Sequence, residues 1–230
     1  MSNELSNYRL DEFMAKVPVR PLDIMLVGVT GAGKSSTIDA LIGSETAKIG
    51  YGVNPETQDF NFYFLNDYVR LWDTPGIGDS PQKDAILLQN VATYLNEIVD
   101  VYRDNVLSKP CYLIDMVLVV IDGSRRELGG IFKLLNQTIL NNIDDNRIIF
   151  AINQADVAMS GRHWSNGRPD NVLIGYLNDQ INSFQQRIES EIHRKIHRPI
   201  CYSASQEYNV KALLDCVLDN MSDCERQTKL

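Results

Sequence analysis

Eight consecutive residues near the N-terminus have the types and the spacing needed to hold a chain of phosphates. Residues 28–35 read GVTGAGKS, which matches the pattern G-x-x-x-x-G-K-[ST] at every fixed position. Glycines allow the tight turn in which backbone N–H groups point at phosphate oxygens, and the N-terminus of the following helix adds positive potential. In this pattern Lys34 reaches the β- and γ-phosphates, and the Ser35 hydroxyl ligates Mg²⁺. The predicted phosphate-binding residues are Thr30, Gly31, Ala32, Gly33, Lys34, Ser35 and Ser36.

A second group of polar residues can complete a magnesium and γ-phosphate site. The run DTPG, residues 73–76, follows the short apolar segment YVRLW. A carboxylate at this position can hold Mg²⁺ through water, and the Gly76 N–H can contact the γ-phosphate. Thr57, in the loop after the first helix, can complete the Mg²⁺ shell when a γ-phosphate is present, and Thr46 is the alternative. The sequence predicts the catalytic residues Lys34, Thr57 and Gly76, and the metal ligands Ser35, Thr57 and Asp73.

Two further motifs can read a purine base. The run NQAD, residues 153–156, follows the apolar segment RIIFAI. An aspartate at the position of Asp156 can accept hydrogen bonds from N1 and the exocyclic N2 of guanine, whereas adenine lacks this donor pair and would leave the carboxylate unpaired. A small SAS turn follows the last predicted strand, and there the Ala204 N–H can donate to guanine O6. The predicted base-binding residues are Asn153, Gln154, Asp156, Ser203 and Ala204.

Short apolar segments alternate with longer helical segments along the chain, which is typical of an α/β fold with a largely parallel sheet. We expect six strands, at 23–28, 60–65, 68–72, 116–121, 147–152 and 199–202. The turn at Asn66-Asp67 makes one of them an antiparallel edge strand. The predicted helices run from about 34–42, 82–107, 127–142, 171–196 and 209–221, and cover both faces of the sheet. Residues 44–59 and 160–170 are predicted to be loops.

The composition indicates a globular chain and excludes several classes of protein. The 230 residues are 44% apolar and 23% charged, close to the globular average. A net charge of −8 excludes a uniformly basic nucleic-acid-binding surface. The four cysteines have no C-x-x-C spacing, which argues against a zinc site and a disulfide framework. No signal peptide or membrane span is predicted, so we expect a cytoplasmic protein with a helical extension at 1–20, a nucleotide-binding domain at 21–221 and a tail at 222–230.

The order of these motifs resembles that of the translation-factor-class P-loop GTPases. GVTGAGKS, Thr57, DTPG, NQAD and SAS follow the order of the five guanine-nucleotide motifs, and the resemblance covers about residues 21–220. The run DTPGIGD is most similar to Era-like bacterial GTPases, including small prophage-associated ones, while septins and chloroplast-import GTPases are similar around the same stretch. The resemblance implies the three-layer P-loop NTPase fold, binding of GTP and GDP with Mg²⁺, and hydrolysis of GTP to GDP and phosphate.

Two positions depart from the family pattern. Gln154 stands where the fourth motif usually has a lysine, whose stem packs on the base and supports the phosphate loop. We therefore expect a lower affinity for the nucleotide than the lysine would give, while Asp156 keeps the specificity for guanine. Ile77 follows DTPG, at the place where Ras-like GTPases have the glutamine that orients the attacking water. Because an apolar side chain cannot position water, hydrolysis would depend on Lys34, Mg²⁺, backbone groups and a second protein or subunit, and we expect slow turnover.

The sequence leaves three functions open. A GTP-hydrolysing switch would order the loop around Thr57 and residues 74–84 while GTP is bound, and would present that surface to a protein effector. A GTP-dependent homodimeric scaffold would hydrolyse little. Arg125 or Arg126 could supply an arginine to a neighbouring site, although a solvated pair of loop residues explains them more simply. An ATPase is the third function. Separately, the basic residues of 187–198 could contact RNA or the ribosome, although a solvated helix face explains them more simply.

Overall fold

A seven-stranded sheet forms the centre of the molecule. The computed structural model describes residues 21–43, 49–51, 60–66, 69–100, 102–103, 106–107, 110–125 and 128–222. In chain order the strands are β1 (Leu22–Val27), β2 (Ile49–Tyr51), β3 (Asn61–Asn66), β4 (Val69–Asp73), β5 (Met116–Asp122), β6 (Ile148–Asn153) and β7 (Ile200–Cys201). They lie in the order β7-β6-β5-β1-β4-β3-β2, and of these seven only β3 runs against the others. The carboxyl ends of the five neighbouring parallel strands therefore meet at one edge, where ligands bind in such sheets.

Helices cover both faces of the sheet. On one face lie α1 (Lys34–Ile42) and α5 (Val210–Ser222). On the other face lie α2 (Pro81–Asn96), α3 (Gly129–Leu134) and α4 (Asn171–Ile192). A π-helical turn, Leu135–Ile139, and a last turn, Leu140–Asn142, continue α3. Among the described residues, no helix combines the length and the apolar character needed to span a membrane.

Alternate residues of the strands belong to two hydrophobic cores, one on each face of the sheet. In β1, Ile24 and Leu26 pack towards α1 and α5, while Met25 and Val27 pack towards the other three helices. All four side chains are almost fully buried. Strand residues point alternately to opposite faces, so every residue of a strand is buried when helices cover both faces of the sheet. Such strands therefore have continuous apolar sequences, and the strand predictions were based on these.

The predicted three-layer α/β fold is confirmed, with one more strand in the sheet than the six expected. β2 lies within residues 44–59, which were predicted to be a loop, and it pairs antiparallel with β3. As a result, the antiparallel strand is next to the edge of the sheet rather than at the edge. The physical reason is that β3 would otherwise present a row of unpaired backbone groups, which a short neighbouring strand satisfies. The predicted extension 1–20, and the tail beyond Ser222, lie outside the described residues.

The helix predicted at 82–107 is wrong after Asn96. Glu97 has extended backbone angles, and the chain then forms two short ribbons, Ile98–Val99 with Cys111–Tyr112 and Tyr102–Arg103 with Val106–Leu107. β-Branched residues are frequent in this stretch, and they favour extended backbone. The helix predicted at 171–196 ends at Ile192, because His193 has a left-handed conformation with φ of 54°. The loop predicted at 160–170 contains a hairpin that pairs Trp164–Ser165 with Arg168–Pro169.

A buried aspartate ties β1 to β4. Asp23 has no exposed surface, and its two carboxylate oxygens each lie 2.7 Å from a nitrogen of the Arg70 guanidinium. The indole N–H of Trp72 donates to the same carboxylate at 2.7 Å. The Arg70 guanidinium also lies over the rings of Phe62 and Trp72, with its carbon 5.3 Å and 5.9 Å from their centroids. The ion pair thus joins β1 to β4, and the contact of Arg70 with Phe62 extends the link to β3.

Burial of a thiol makes the fold sensitive to alkali. The side chain of Cys201 is buried, and burial raises its pKa from 9.0 to about 12. A raised pKa in the folded state contributes stability that is fully present below pH 9.0 and is lost between pH 9.0 and about pH 12. When the pH is raised from 8 to 10, the free energy of unfolding should therefore fall by about 1.4 kcal/mol less in Cys201→Ala than in the unsubstituted protein. Urea unfolding followed by circular dichroism at the two pH values measures the difference, and equal losses would contradict it.

Candidate functional site

The turn between β1 and α1 forms the floor of a cavity of about 410 Å³ at the carboxyl edge of the sheet. The cavity is lined by Thr30, Gly31, Gly33, Lys34, Ser35, Ser36, Asn61, Asp73, Thr74, Pro75 and Gly76. Gly33 has a left-handed backbone with φ of 88°, and a β-carbon there would collide with the side-chain amide of Asn153. Only glycine fits both constraints. The predicted loop residue Ala32 is fully buried.

Lys34 lies at the base of this cavity and is 7% exposed. Its Nζ donates to the carbonyl oxygens of Gly28 at 3.3 Å and Val29 at 3.2 Å. Burial lowers the pKa of Lys34, while the nearby carboxylates of Asp73 and Asp79 act in the opposite direction. The ammonium group is therefore held by backbone carbonyls and faces an otherwise anionic neighbourhood, which is the setting expected for a phosphate-binding lysine.

The predicted metal ligands Ser35 and Asp73 are adjacent. The Ser35 hydroxyl donates to Asp73 Oδ2 at 2.7 Å. Asp73 Oδ1 is buried and has no hydrogen-bond partner among the described residues. An orphaned carboxylate oxygen beside a serine hydroxyl is a hard-oxygen pair that fits Mg²⁺, directly or through water. Thr57, the third predicted ligand, and its alternative Thr46 lie outside the described residues.

The DTPG segment is paired with the phosphate loop itself. The Thr30 N–H donates to Ile77 O at 2.9 Å, and the Ile77 N–H donates to Gly28 O at 3.2 Å. A β-carbon on Gly76 would stand 2.5 Å from the backbone nitrogen of Thr30, so the two backbones are in close contact. The Ala32 N–H donates to Val29 O at 3.2 Å. Phosphate oxygens would then be left to the N–H groups of Gly31, Gly33 and the first turn of α1, which have no intrahelical acceptors.

Asn153 joins the phosphate loop to the turn at residues 203–205, which the sequence predicts to contact the base and which we call the base-binding turn. Its Nδ2 donates to Ala32 O at 3.0 Å, and its Oδ1 accepts from the Ala204 N–H at 3.0 Å. The side chain is 3% exposed, so this link is shielded from water. A contact between the Ala204 N–H and guanine O6, as the sequence predicts, would share that hydrogen with Asn153. The two parts of the site are thereby fixed relative to each other.

Both carboxylate oxygens of Asp156 accept hydrogen bonds from serines. The Ser203 hydroxyl donates to Oδ1 at 2.6 Å, and the Ser205 hydroxyl donates to Oδ2 at 3.2 Å. A carboxylate has about four acceptor positions, so capacity remains for two donors on a base. Ser203 is therefore placed as a support for Asp156. Ser205 was missed in the sequence analysis, although the S-x-S spacing of the turn was a signal for it.

The hairpin after NQAD covers the end of the base-binding turn. Trp164, in the hairpin, packs edge-on against Tyr208 with ring centroids 5.4 Å apart. Tyr208 exchanges two backbone hydrogen bonds of 3.0 Å with Ser203. The hairpin turn at Asn166-Gly167 has positive φ at both residues, which is the geometry of a tight two-residue connection. Asn166-Gly167 was the available sequence signal for this element.

Gln154 takes the place of the usual lysine and still reaches the phosphate loop. Its Nε2 donates to Gly31 O at 3.2 Å, and its backbone is left-handed with φ of 67°. The support that the lysine is expected to give to the phosphate loop is therefore kept, but without a charge. Asn61 is a second residue that the sequence analysis missed, because a lone asparagine at the start of a strand carries no local signal. It lies in register with Asp73 on the neighbouring strand and lines the same cavity.

Removing the Gln154 side chain should speed nucleotide release. Gln154→Ala loses one hydrogen bond of about 1 kcal/mol, so we expect GDP to dissociate roughly fivefold faster. Gln154→Lys places an ammonium near the same carbonyl and should slow release below the rate of the unsubstituted protein. A chase of radiolabelled GDP measures the three rates. Identical rates for the alanine variant and the unsubstituted protein would show that this contact does not support the loop.

Two of the basic residues that follow α4 are paired with carboxylates within the molecule. Arg194 donates to Asp145 at 2.6 Å, and Lys195 donates to Glu189 at 2.8 Å. Arg198 donates to the side chains of two asparagines on α4. These groups therefore have partners inside the chain, which supports the interpretation of residues 187–198 as a solvated helix end.

Comparison with known proteins identifies the family and the fold. The sequence profile of a family described as "50S ribosome-binding GTPase" matches residues 23–154, which is more than half of the chain. No curated protein matches the chain in sequence.

Solved structures match the fold over nearly the whole chain. Toc33 from Arabidopsis thaliana in complex with GDP and Mg²⁺ has a TM-score of 0.60 and 15% identity, covering 97% of this chain and 94% of that one. A second matching structure comes from work on the chloroplast translocon components atToc33 and psToc159, for whose GTPase activity dimerization is important. It has a TM-score of 0.61 and 14% identity, covering 99% of this chain and 94% of that one. A GTP-binding protein from the archaeon Sulfolobus solfataricus in complex with GDP has a TM-score of 0.50 and 16% identity, covering 87% and 52%. At these identities the structures show a shared fold, and together with the profile match they lead to one conclusion: this chain belongs to the GTPase family whose profile it matches, and carries its P-loop G domain.

Proposed function

We propose that this protein binds GTP and GDP with Mg²⁺ and acts as a slowly hydrolysing conformational switch. The observation that carries the proposal is the buried Asn153 amide, which links the phosphate loop at Ala32 to the base-binding turn at Ala204. Beside this link, Asp156 is oriented by two serines in a position suited to N1 and N2 of guanine. The phosphates and the base of one bound nucleotide would therefore be contacted by two parts of the site that are fixed relative to each other.

Each predicted residue has a role in this proposal. Lys34 and the loop N–H groups would bind the β- and γ-phosphates, and Gly76 would donate to the γ-phosphate. Ser35 and Asp73, with Thr57, would hold Mg²⁺, which when bound neutralises charge on those phosphates. The remaining predicted contacts are those of Thr30, Gly31, Ala32, Gly33, Ser36, Asn153, Gln154, Asp156, Ser203 and Ala204.

The switch itself would be the segment that starts at DTPG. The two backbone hydrogen bonds between Ile77 and the phosphate loop couple this segment to the place where a γ-phosphate would lie. A γ-phosphate that engages Gly76 would rearrange this pairing, and its loss on hydrolysis would restore it. Slow turnover is expected because the buried Ile77 side chain cannot orient water.

Calorimetric titration with GTP, GDP and ATP, with and without Mg²⁺, tests this function. We expect guanine nucleotides to bind and ATP to bind far more weakly, and we expect Ser35→Ala to reduce the effect of Mg²⁺ on affinity. Phosphate release from GTP should be slow for the dilute protein. Equal binding of ATP would favour the ATPase alternative, and turnover of many cycles per second would contradict a slow switch.

A second candidate function is a dimer that forms across the nucleotide sites. Arg125 supports it, because its side chain is 63% exposed and Nη2 lies 3.8 Å from the place of a β-carbon on Gly31. In addition, dimerization is important for the GTPase activity of the structurally similar atToc33 and psToc159. Arg126 lies outside the described residues. Turnover that rises with protein concentration, and loses this dependence in Arg125→Ala, would favour the dimer over the monomeric switch.

We further infer a cytoplasmic protein of the Era-like group that presents its switch segment to a protein effector. The run DTPGIGD at 73–79 supports the subgroup. Ribosome contact is the weaker alternative, because the charges of Arg194 and Lys195 are paired within the chain. GTP-dependent co-sedimentation with ribosomes that is lost on reversing both charges would establish that alternative.

A further inference from the structure

Thr30 and Asp79 form a hydrogen-bonded pair beside the phosphate-binding cavity. The Thr30 hydroxyl donates to Asp79 Oδ1 at 3.0 Å. Thr30 lines the cavity and touches Gly76, the residue expected to meet the γ-phosphate. The negative charge of Asp79 also raises the pKa of Lys34 against the effect of burial, so the carboxylate is electrostatically coupled to the lysine. These observations put Asp79 at the γ-phosphate end of the site.

The other side chains of this segment are engaged elsewhere. Ile77 is 3% exposed, packs in the core and has both backbone groups bonded to the phosphate loop, so it cannot turn towards a water molecule. The Thr74 hydroxyl donates to Leu26 O in the sheet at 2.7 Å. The Ser80 hydroxyl accepts from the Lys83 N–H and caps α2. Asp79, whose side chain is 49% exposed, accepts from Thr30 at Oδ1, and the exposed Lys83 ammonium lies 3.8 Å from its Oδ2. A carboxylate has about four acceptor positions, so it can still accept a hydrogen bond from water.

We propose that Asp79 orients the water that attacks GTP, and that Thr30 is the positioning residue that holds its carboxylate. The inference rests on the proposed GTPase function. The water oxygen forms a bond to the γ-phosphorus while the bond to the β–γ bridging oxygen breaks, and that oxygen leaves on GDP with the electron pair. Asp79 accepts a hydrogen bond from the water, whose proton passes to a γ-phosphoryl oxygen, so the carboxylate is unchanged at the end. A carboxylate aligns the attacking hydroxyl in protein kinases in a comparable way.

Four variants separate this role from a structural one. Asp79→Asn keeps the shape but removes the charge and one acceptor oxygen, and we expect single-turnover hydrolysis to fall roughly 10- to 100-fold. Thr30→Val should lower the rate in the same direction, and Thr30→Ser should restore it. Asp179→Asn, an exposed position on α4, is the matched control and should hydrolyse GTP at the unsubstituted rate.

A readout besides turnover is binding of GDP with aluminium fluoride, which mimics the transition state. Asp79→Asn should lose the extra affinity that aluminium fluoride gives, while its affinity for GDP alone stays within about twofold. An unchanged hydrolysis rate in Asp79→Asn would overturn the proposal. A faster rate, or tighter GTP binding, would also overturn it, because Asp79 would then act by repelling the γ-phosphate. Failure of the proposed function looks different, since the unsubstituted protein would then neither bind nor hydrolyse GTP.

Discussion

Replacing Asp156 by asparagine should change which base the protein binds. The variant loses a carboxylate that can accept from both N1 and N2 of guanine, and hydrogen bonds to a charged group contribute about 1.5–3 kcal/mol each. We therefore expect the affinity for GDP to fall by roughly two to four orders of magnitude. Xanthine has an oxygen where guanine has N2, so the new amide can donate to it. Affinity for xanthine nucleotides should rise, as calorimetric titration with GDP and XDP would measure.

The environment of Asp156 keeps this experiment interpretable. The asparagine oxygen can still accept from the Ser203 hydroxyl, so the turn should stay folded. Asp39→Asn, at an exposed position on α1, is the matched control and should leave the preference for guanine unchanged. Loss of GDP binding without any gain for XDP would contradict the base-reading role, provided that the unfolding midpoint is unchanged.

Replacing Arg70 by methionine should strongly destabilise the protein. Asp23 is fully buried, and both of its oxygens face the Arg70 guanidinium. Removing one partner of a buried ion pair costs about 3–5 kcal/mol, because the remaining charge is poorly compensated. Methionine keeps most of the apolar stem that packs beside Phe62 and Trp72, so the cost reports mainly the lost charge. Urea unfolding followed by circular dichroism should show this decrease in the free energy of unfolding.

A surface pair on the same chain provides the comparison. Arg194 and Asp145 lie 2.6 Å apart, and both side chains are 44% exposed. Because exposed pairs contribute at most about 1 kcal/mol, Arg194→Met should cost far less than Arg70→Met. Equal costs for the two variants would mean that the burial of Asp23 carries no electrostatic penalty.

The parts of the site that could be predicted are those coded by a few neighbouring residues. The loop that ends at Lys34 needs glycines and a following helix, and both requirements are visible in eight letters of sequence. The roles of Asn153 were only partly visible, because its hydrogen bonds to Ala32 and Ala204 join residues 121 and 51 positions away. The pair of Thr30 and Asp79 spans 49 positions and follows no local pattern. Such contacts depend on which strands become neighbours, which is decided by the packing of the whole sheet.

The same distinction explains the errors in the fold. Residues 98–107 have apolar positions that fit a helix as well as a strand, so their spacing could not decide between the two. The β-branched composition was the better guide, since the chain forms ribbons there. The strand β2 has three residues, too few for any periodicity, and it exists because β3 offers an open edge.

The chain contains two tryptophans in different surroundings. Trp72 is 1% exposed among aromatic side chains in the sheet, whereas Trp164 is half-buried against Tyr208 beside the base-binding turn. Indole emission shifts to longer wavelength in water, so Trp72 should emit in the blue until the sheet unfolds, while Trp164 should respond when a ligand binds at the turn beside it. A Trp164→Phe variant separates the two signals. The protein thereby has two built-in optical reporters, one for the integrity of its core and one for occupancy of the base pocket, and needs no attached label.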